Sequence, residues 1–298
     1  MRTAATVTLV AMLLASAACR PDAAAQQRVV VGVGSTTEQR VLAALAVHAL
    51  ADAGLEPSVR GDLGGTVGLR REAIGGSIDV FWDYTGAAWG LGMGQQAPPG
   101  DAEESYERVR RADEDNGLTW LAPSEANATL ALFVRREDLP AEGRPRGLTW
   151  LAGVLSAGER HLCADPEFVT RRGGLDALAA AYAMDVERLT DAVIPATEEH
   201  AISGVARRRC FAGLATATSG EAVAAGLVPV TDDLSIFPAF VVAPVARTAH
   251  LQAAPQVRSA LERVTTALDT PGLAQMNAEV ERGRDPAQVA EDFFGGTG

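Results

Sequence analysis

From Arg28 onward, short β-branched runs alternate with stretches whose apolar residues recur at helical spacing. Arg28-Val-Val-Val-Gly-Val-Gly34 followed by residues 37–53 reads as strand, tight turn and helix. A strand over 57–60, a glycine turn at Gly64-Gly65-Thr66, a helix over 67–74 and a strand over 77–82 complete a β-α-β-α-β beat. Beyond it, 106–116 reads as a helix, 129–134 as a strand and 161–164 as the first strand of a second α/β unit. Residues 175–182, 198–208 and 211–218 continue that unit as helix, helix and strand. One more apolar run covers 236–244, and 256–269, 273–281 and 287–294 read as closing helices separated by proline or glycine. Such alternation predicts parallel sheets with helices on both faces and ligand-binding loops at the carboxyl ends of the strands. A chain of 298 residues exceeds one comfortable core, so two compact units are expected.

The stretch Gly75-Gly-Ser-Ile-Asp-Val-Phe-Trp-Asp-Tyr-Thr-Gly86 sets Phe81, Trp82 and Tyr84 at the end of a predicted strand, in a chain only 5% aromatic. Either packing or a ligand accounts for the cluster. Alternate strand residues commonly face a core, and Phe81 is the ring expected to be buried.

Hydrophobic residues make up 47% and charged residues 21%, the balance of a globular protein. The formal net charge of −12 repels phosphate backbones, which argues against nucleic acid as a partner. The first 19 residues join one arginine, an apolar run and small residues ahead of Cys19, the pattern of an export signal. The run is short for a membrane span, which needs about 20 apolar residues. Small residues before Cys19 resemble the lipobox of bacterial lipoproteins, which implies a lipid anchor there. Ser16 stands where leucine is usual, and cleavage near Ala18 or Ala25 with release is the alternative. Export places Cys163 and Cys210 in an oxidising compartment, so one disulfide between them is expected, with two separate buried thiols as the alternative.

No catalytic apparatus is visible. Gly32-Val-Gly34 lacks the third glycine of a dinucleotide fingerprint, and an exported chain rarely meets nicotinamide cofactors, so no cofactor is expected. His48, His161, His200 and His250 have no second ligand at metal spacing, no Gly-x-Ser-x-Gly elbow occurs, and Asp79 and Asp83 need not converge as an acid/base pair. Two α/β units, an export signal, acidity and no reactive set describe an extracytoplasmic solute receptor that closes on its ligand.

Several segments, in order, resemble the substrate-binding proteins of osmoprotectant ABC transporters, those for glycine betaine, choline and carnitine. They are Gly34-Ser-Thr-Thr-Glu-Gln39, Leu63-Gly-Gly-Thr66, Ile78-Asp-Val-Phe-Trp-Asp-Tyr-Thr-Gly86, Asn116-Gly-Leu-Thr-Trp-Leu-Ala-Pro123, Ala164-Asp-Pro-Glu-Phe168, residues 227–233, Phe237-Pro-Ala-Phe240 and Asp285-Pro-Ala-Gln-Val-Ala290. The resemblance covers residues 28–295. It implies a type II periplasmic-binding-protein fold, with two α/β lobes joined by a two-strand hinge at 129–134 and 240–245. Residues 1–27 would be signal peptide and linker, 28–132 with 241–298 lobe 1, and 133–240 lobe 2. The strands beginning at Cys163 and Cys210 would be sheet neighbours, which favours the disulfide.

The resemblance further implies an aromatic cage for a methylated cation, since a quaternary ammonium offers no N–H to hydrogen-bond and each ring face adds roughly 0.5–2 kcal/mol. Trp82, Tyr84 and Phe240 fall on or beside cage segments, Thr85 on a position that helps hold a ligand carboxylate, and Arg171 on a carboxylate-clamping arginine. Ser35, Thr36, Leu130 and Thr216 fall on the remaining ligand-facing positions. This chain departs from the pattern where Leu130 replaces a tyrosine, Thr36 a common lysine, and Phe240-Val241 a tyrosine and an asparagine. Thr216-Ala-Thr-Ser-Gly220 also loses a ring and an aspartate. The implied partners are a small osmolyte and the permease subunit of an ABC importer with a cytoplasmic ATPase, the membrane being met only through a lipid anchor. A different solute such as an amino acid, a sensor or scaffold role and, more remotely, a secreted hydrolase are the alternatives.

Overall fold

The computed structural model describes residues 27–95, 101–141, 146–158 and 160–296; the export segment with Cys19 lies outside the described residues. The described residues form two five-stranded sheets. In the first, β1 (Arg28–Gly32) lies between β2 (Glu56–Arg60) and β3 (Val80–Tyr84), all parallel. β10 (Val242–Arg247) then runs antiparallel to both β3 and β4 (Leu118–Trp120), giving the order β2-β1-β3-β10-β4. In the second, β5 (Leu130–Arg135), β6 (Leu162–Ala164), β7 (Val193–Pro195), β8 (Ala212–Thr216) and β9 (Leu227–Val230) take the order β7-β6-β8-β5-β9, with β5 antiparallel to its neighbours.

β3 shows why the aromatic stretch folds as it does. Its side chains alternate, and helices cover both faces of a central strand in such a sheet. Val80 and Trp82 join the core of α1 (Thr37–Asp52), whereas Phe81 packs on the other face with Leu69 of α2 (Thr66–Ile74) and Val109 of α3 (Ala102–Glu114). Asp83 shares that second face. Its Oδ1 accepts from Thr66 Oγ1 at 2.8 Å, and Arg70 beside it forks onto Asp113 at 2.5 and 2.7 Å while Trp120 Nε1 donates to Asp113 at 2.6 Å. α1 starts at a reciprocal cap in which Thr36 Oγ1 accepts from Gln39 N and Gln39 Oε1 accepts from Thr36 N.

The second sheet carries α4 (Glu198–Ala206) and α5 (Gly220–Ala224), and the chain then returns to cover α1 with α6 (Gln256–Ala267), α7 (Thr270–Glu281) and α8 (Pro286–Gly295). Two crossing segments join the sheets and hold each other. Val242 N donates to Ala126 O (2.9 Å), Ala128 N to Phe240 O (3.0 Å), Phe240 N to Asn127 Oδ1 (2.8 Å) and Thr129 Oγ1 to Pro238 O (2.6 Å). β5 belongs wholly to the second sheet from Leu130, so the crossing lies just ahead of it rather than within it. Cys163 on β6 and Cys210 just before β8 form a disulfide with their α-carbons 5.7 Å apart, as the parallel pairing of β6 and β8 allows.

The long, strongly periodic helices match the pattern, while the short elements were not legible. β7, β9 and the helix Val186–Asp191 are too brief to show a period, and the helix Leu148–Ser156 is apolar nearly throughout, which hides one. α3 begins four residues earlier than the pattern suggests because Asp101 caps it, accepting from Glu104 N at 2.8 Å.

Candidate functional site

Loops at the carboxyl ends of the first sheet meet the crossing segments and the loop after β8. Thr85, directly after β3, is buried; its hydroxyl donates to Ala239 O and accepts from Val241 N, both at 3.1 Å, and its own N–H donates to Val241 O at 3.1 Å. Those bonds lock the end of β3 to the hinge. Beside it the half-buried Phe240 ring covers Gly86 so closely that a methyl on Gly86 would stand 2.6 Å from a ring carbon. Only glycine leaves the ring in that place.

Tyr84 is half-buried beside Glu38 in the first turn of α1. Burial first, then the nearby Glu38 carboxylate and Asp83 behind it, push the phenol well above its ordinary range, so it stays protonated. Glu38 Oε2 accepts from Asn277 Nδ2 of α7 at 2.8 Å, and the same Nδ2 donates to Thr218 O at 2.9 Å, in the loop after β8. On that strand Leu130 pairs with Thr216, whose hydroxyl donates to Glu198 Oε1 at 2.9 Å. Glu221 of α5 and Glu281 of α7 complete the group. Burial raises both above the usual carboxylate range, and nearby glutamates add to it: Glu199 and Glu198 for Glu221; Glu221, Glu198 and Glu38 for Glu281. Apart from His200, the charged groups acting on this pair are all carboxylates.

The structure therefore brings Tyr84 and Thr85 at the end of β3 to the crossing segment that carries Phe240, pairs Leu130 with Thr216 on the second sheet, and leaves Ser35 and Thr36 exposed on the loop after β1. Trp82 lies beneath this surface: it is 3% exposed, packs in the core with α1, α6 and α7, and its buried Nε1 has no hydrogen-bond partner among the described residues. Arg171 is exposed at the end of the helix Pro166–Thr170, its guanidinium 5.7 Å from the centre of Phe168, whose ring leans on Phe237 ahead of the hinge. Two open concavities, of about 710 Å³ beside Arg71, Ile74 and Trp89 and about 490 Å³ beside Tyr106 and Arg258, are lined by none of the junction residues.

Sequence reasoning passed over Glu38, Glu198, Glu221, Glu281 and Asn277. Glu38 lies inside a segment already singled out, and an acid in a helix's first turn after a glycine loop was a readable signal. Asn277 carried none, being 239 positions from the carboxylate it holds. Among the described residues no group of three His, Cys, Asp or Glu side chains suits a metal ion, and no helix is long and apolar enough to cross a membrane. The junction offers ring faces, hydroxyls and negative charge, which together suit a cationic group and disfavour an anion.

Comparison with known proteins identifies the family. A family model described as the substrate binding domain of ABC-type glycine betaine transport systems matches residues 27–295. A glycine-betaine-binding protein of Pseudomonas aeruginosa is 30% identical over 277 residues, spanning 89% of this chain and 86% of its own. The glycine betaine-binding protein YehZ of Escherichia coli is 30% identical over 277 residues, spanning 89% of this chain and 88% of its own. The crystal structure of ligand-free YehZ superposes with a TM-score of 0.81 at 28% identity, covering 91% of this chain and 99% of that one. A glycine betaine/carnitine/choline ABC transporter structure, at 20% identity, shares the fold with a TM-score of 0.81 over 90% of this chain and 97% of that one. Members of this family are solute-binding transport proteins rather than enzymes. With the type II binding-protein fold and nearly the whole described chain matched, this protein belongs to the family of substrate-binding domains of ABC-type glycine betaine transport systems.

Proposed function

We propose that the chain is the extracytoplasmic receptor of an ABC importer, binding glycine betaine or a closely related methylated ammonium at the lobe junction and delivering it to a membrane permease. One observation supports this above the others: Tyr84 faces Glu38, one of a group of glutamates gathered from both sheets, while two residues along the chain Gly86 carries the Phe240 ring of the crossing segment. Tyr84 and Phe240 supply ring faces, with Trp82 packed in the core below. Ser35, Thr36, Leu130 and Thr216 line the remainder, Thr85 sets the hinge geometry on which the ligand's carboxylate rests, and Arg171 grips that carboxylate as the lobes approach. The moving units are the two sheets with the helices that cover them, parted just ahead of β5 and at Phe240–Val241 rather than within β5, and Cys19 carries the lipid that keeps the receptor beside its permease.

The test is a thermal-shift and calorimetric panel of glycine betaine, choline, carnitine, proline betaine and common amino acids. A ligand at 100 times its dissociation constant adds roughly 2.7 kcal/mol of stability. Glycine betaine is expected to raise the melting temperature, and Phe240→Ala to weaken it by about 0.5–2 kcal/mol. No response to any methylated ammonium sinks the reading. A second reading, a retuned pocket for another small solute, is favoured by Leu130 and Thr216 standing where the resemblance leads one to expect rings. A response to an amino acid alone would establish it.

A further inference from the structure

The two sheets are clasped at a point apart from the hinge. Gly220, the first residue of α5, lies flush on α7: a Cβ there would stand 2.5 Å from Ala278 N, 2.7 Å from Asn277 C and 2.5 Å from Glu281 Oε2. Asn277, 3% exposed, occupies the centre of this contact. Its single Nδ2 holds a carboxylate of the first lobe, Glu38 Oε2, and a backbone carbonyl of the second, Thr218 O. Glu38 in turn faces Tyr84, whose phenol its charge raises. One carboxylate beside a junction ring is therefore tied through one amide to the opposite lobe.

We propose that Asn277 is a positioning residue that couples the ligand face to lobe approach: it fixes Glu38, the carboxylate beside Tyr84, when the loop after β8 docks on α7. The ligand arm rests on the binding function given above. The chemistry requires an amide. Glu38 and Glu281 approach from one lobe and Glu198 and Glu221 from the other, so closure gathers like charges, and a neutral donor satisfies two acceptors without adding a fifth. Aspartate, of the same shape, can neither donate while ionised nor stand among these carboxylates without repulsion. Glycine at 220 is needed because any side chain holds the helices apart.

The experiment uses the mature chain in small-angle scattering, without and with saturating glycine betaine, together with calorimetry and stopped-flow binding. Asn277→Ala and Asn277→Asp are expected to enlarge the ligand-free radius of gyration and to weaken glycine betaine about tenfold, the loss two modest hydrogen bonds imply, mainly through faster dissociation. Gly220→Ala, introduced from the other lobe, should reproduce both effects. A merely stabilising asparagine would lower the melting temperature and leave radius and dissociation rate unchanged in folded Asn277→Ala and Gly220→Ala, and that result overturns the proposal. Failure of the unaltered chain to bind glycine betaine sinks the functional reading alone, and the ligand-free scattering comparison then decides the clasp.

Discussion

Opening the Cys163–Cys210 disulfide should cost this protein a large share of its stability. The bridge closes a loop of sequence separation 47, which contains β7 and α4. In the chain-entropy description such a loop restricts the unfolded ensemble by about 4 kcal/mol at 25 °C. Both cysteines are buried, and Gly204 of α4 lies against them, its would-be Cβ 2.9 Å from Cys163 Sγ, so the paired alanine variant also leaves a small void. At roughly 2–4 °C per kcal/mol for a unit of 150–250 residues, the melting temperature should fall by about 8–16 °C. The assay is differential scanning calorimetry of the oxidised chain, the chain with a phosphine reductant and the Cys163→Ala/Cys210→Ala variant, with thiol counting to establish the redox state of each sample. Melting within about 2 °C of the oxidised protein, in a sample shown to be reduced, would refute the reasoning. It would mean that the unfolded loop is already as restricted without its bridge.

Three further outcomes are expected. Asp83 is wholly buried and its carboxyl is raised to about 6 from an ordinary 3.8, mainly by burial. The folded state thus holds that proton more tightly than the unfolded one, and the Asp83 contribution to stability declines as pH rises from about 4 to 6. Chemical denaturation should therefore show Asp83→Asn gaining on the parent by about 1–3 kcal/mol between pH 4 and pH 7; a pH-independent difference contradicts it. Arg70→Ala leaves Asp113 and Asp83 buried without their cation, and urea titration should record a loss of about 3–5 kcal/mol. Gly86→Ala drives a methyl into the Phe240 ring, so calorimetry should show weaker glycine betaine binding and a stability cost of about 1–3 kcal/mol.

How far the sequence could be read differs from residue to residue. α1, α6 and α7 were legible because their apolar positions repeat over three turns or more, with Gly54 and Gly283 marking where α1 and α7 stop and Pro271 where α7 begins. Trp82 and Tyr84 were not separable in the same way. They sit two positions apart on one strand and point to the same face, so both carry one alternation signal. Which of the two reaches the surface depends on how far α1 and α7 extend over the strand, and neither helix is local to it. Most of the carboxylate group was equally hidden, since Glu198, Glu221 and Glu281 each look like solvated helix residues until the lobes meet; Glu38 alone, in a helix's first turn after a glycine loop, carried a local signal.

Local chemistry by itself determined a good deal: the β-α alternation, the paired α/β units, the export pattern, the absence of a reactive set and the kinship that names a ligand class. Each of these depends on spacing or residue type within a few dozen positions, which the chain carries wherever it folds. Only the tertiary structure decided that Thr85 is spent on the hinge, that Trp82 lies under the surface and that Asn277 grips both lobes at once. Those outcomes depend on contacts between segments 59 to 239 positions apart. Such pairings are selected by the burial of two complete cores, and no single stretch of sequence contains them.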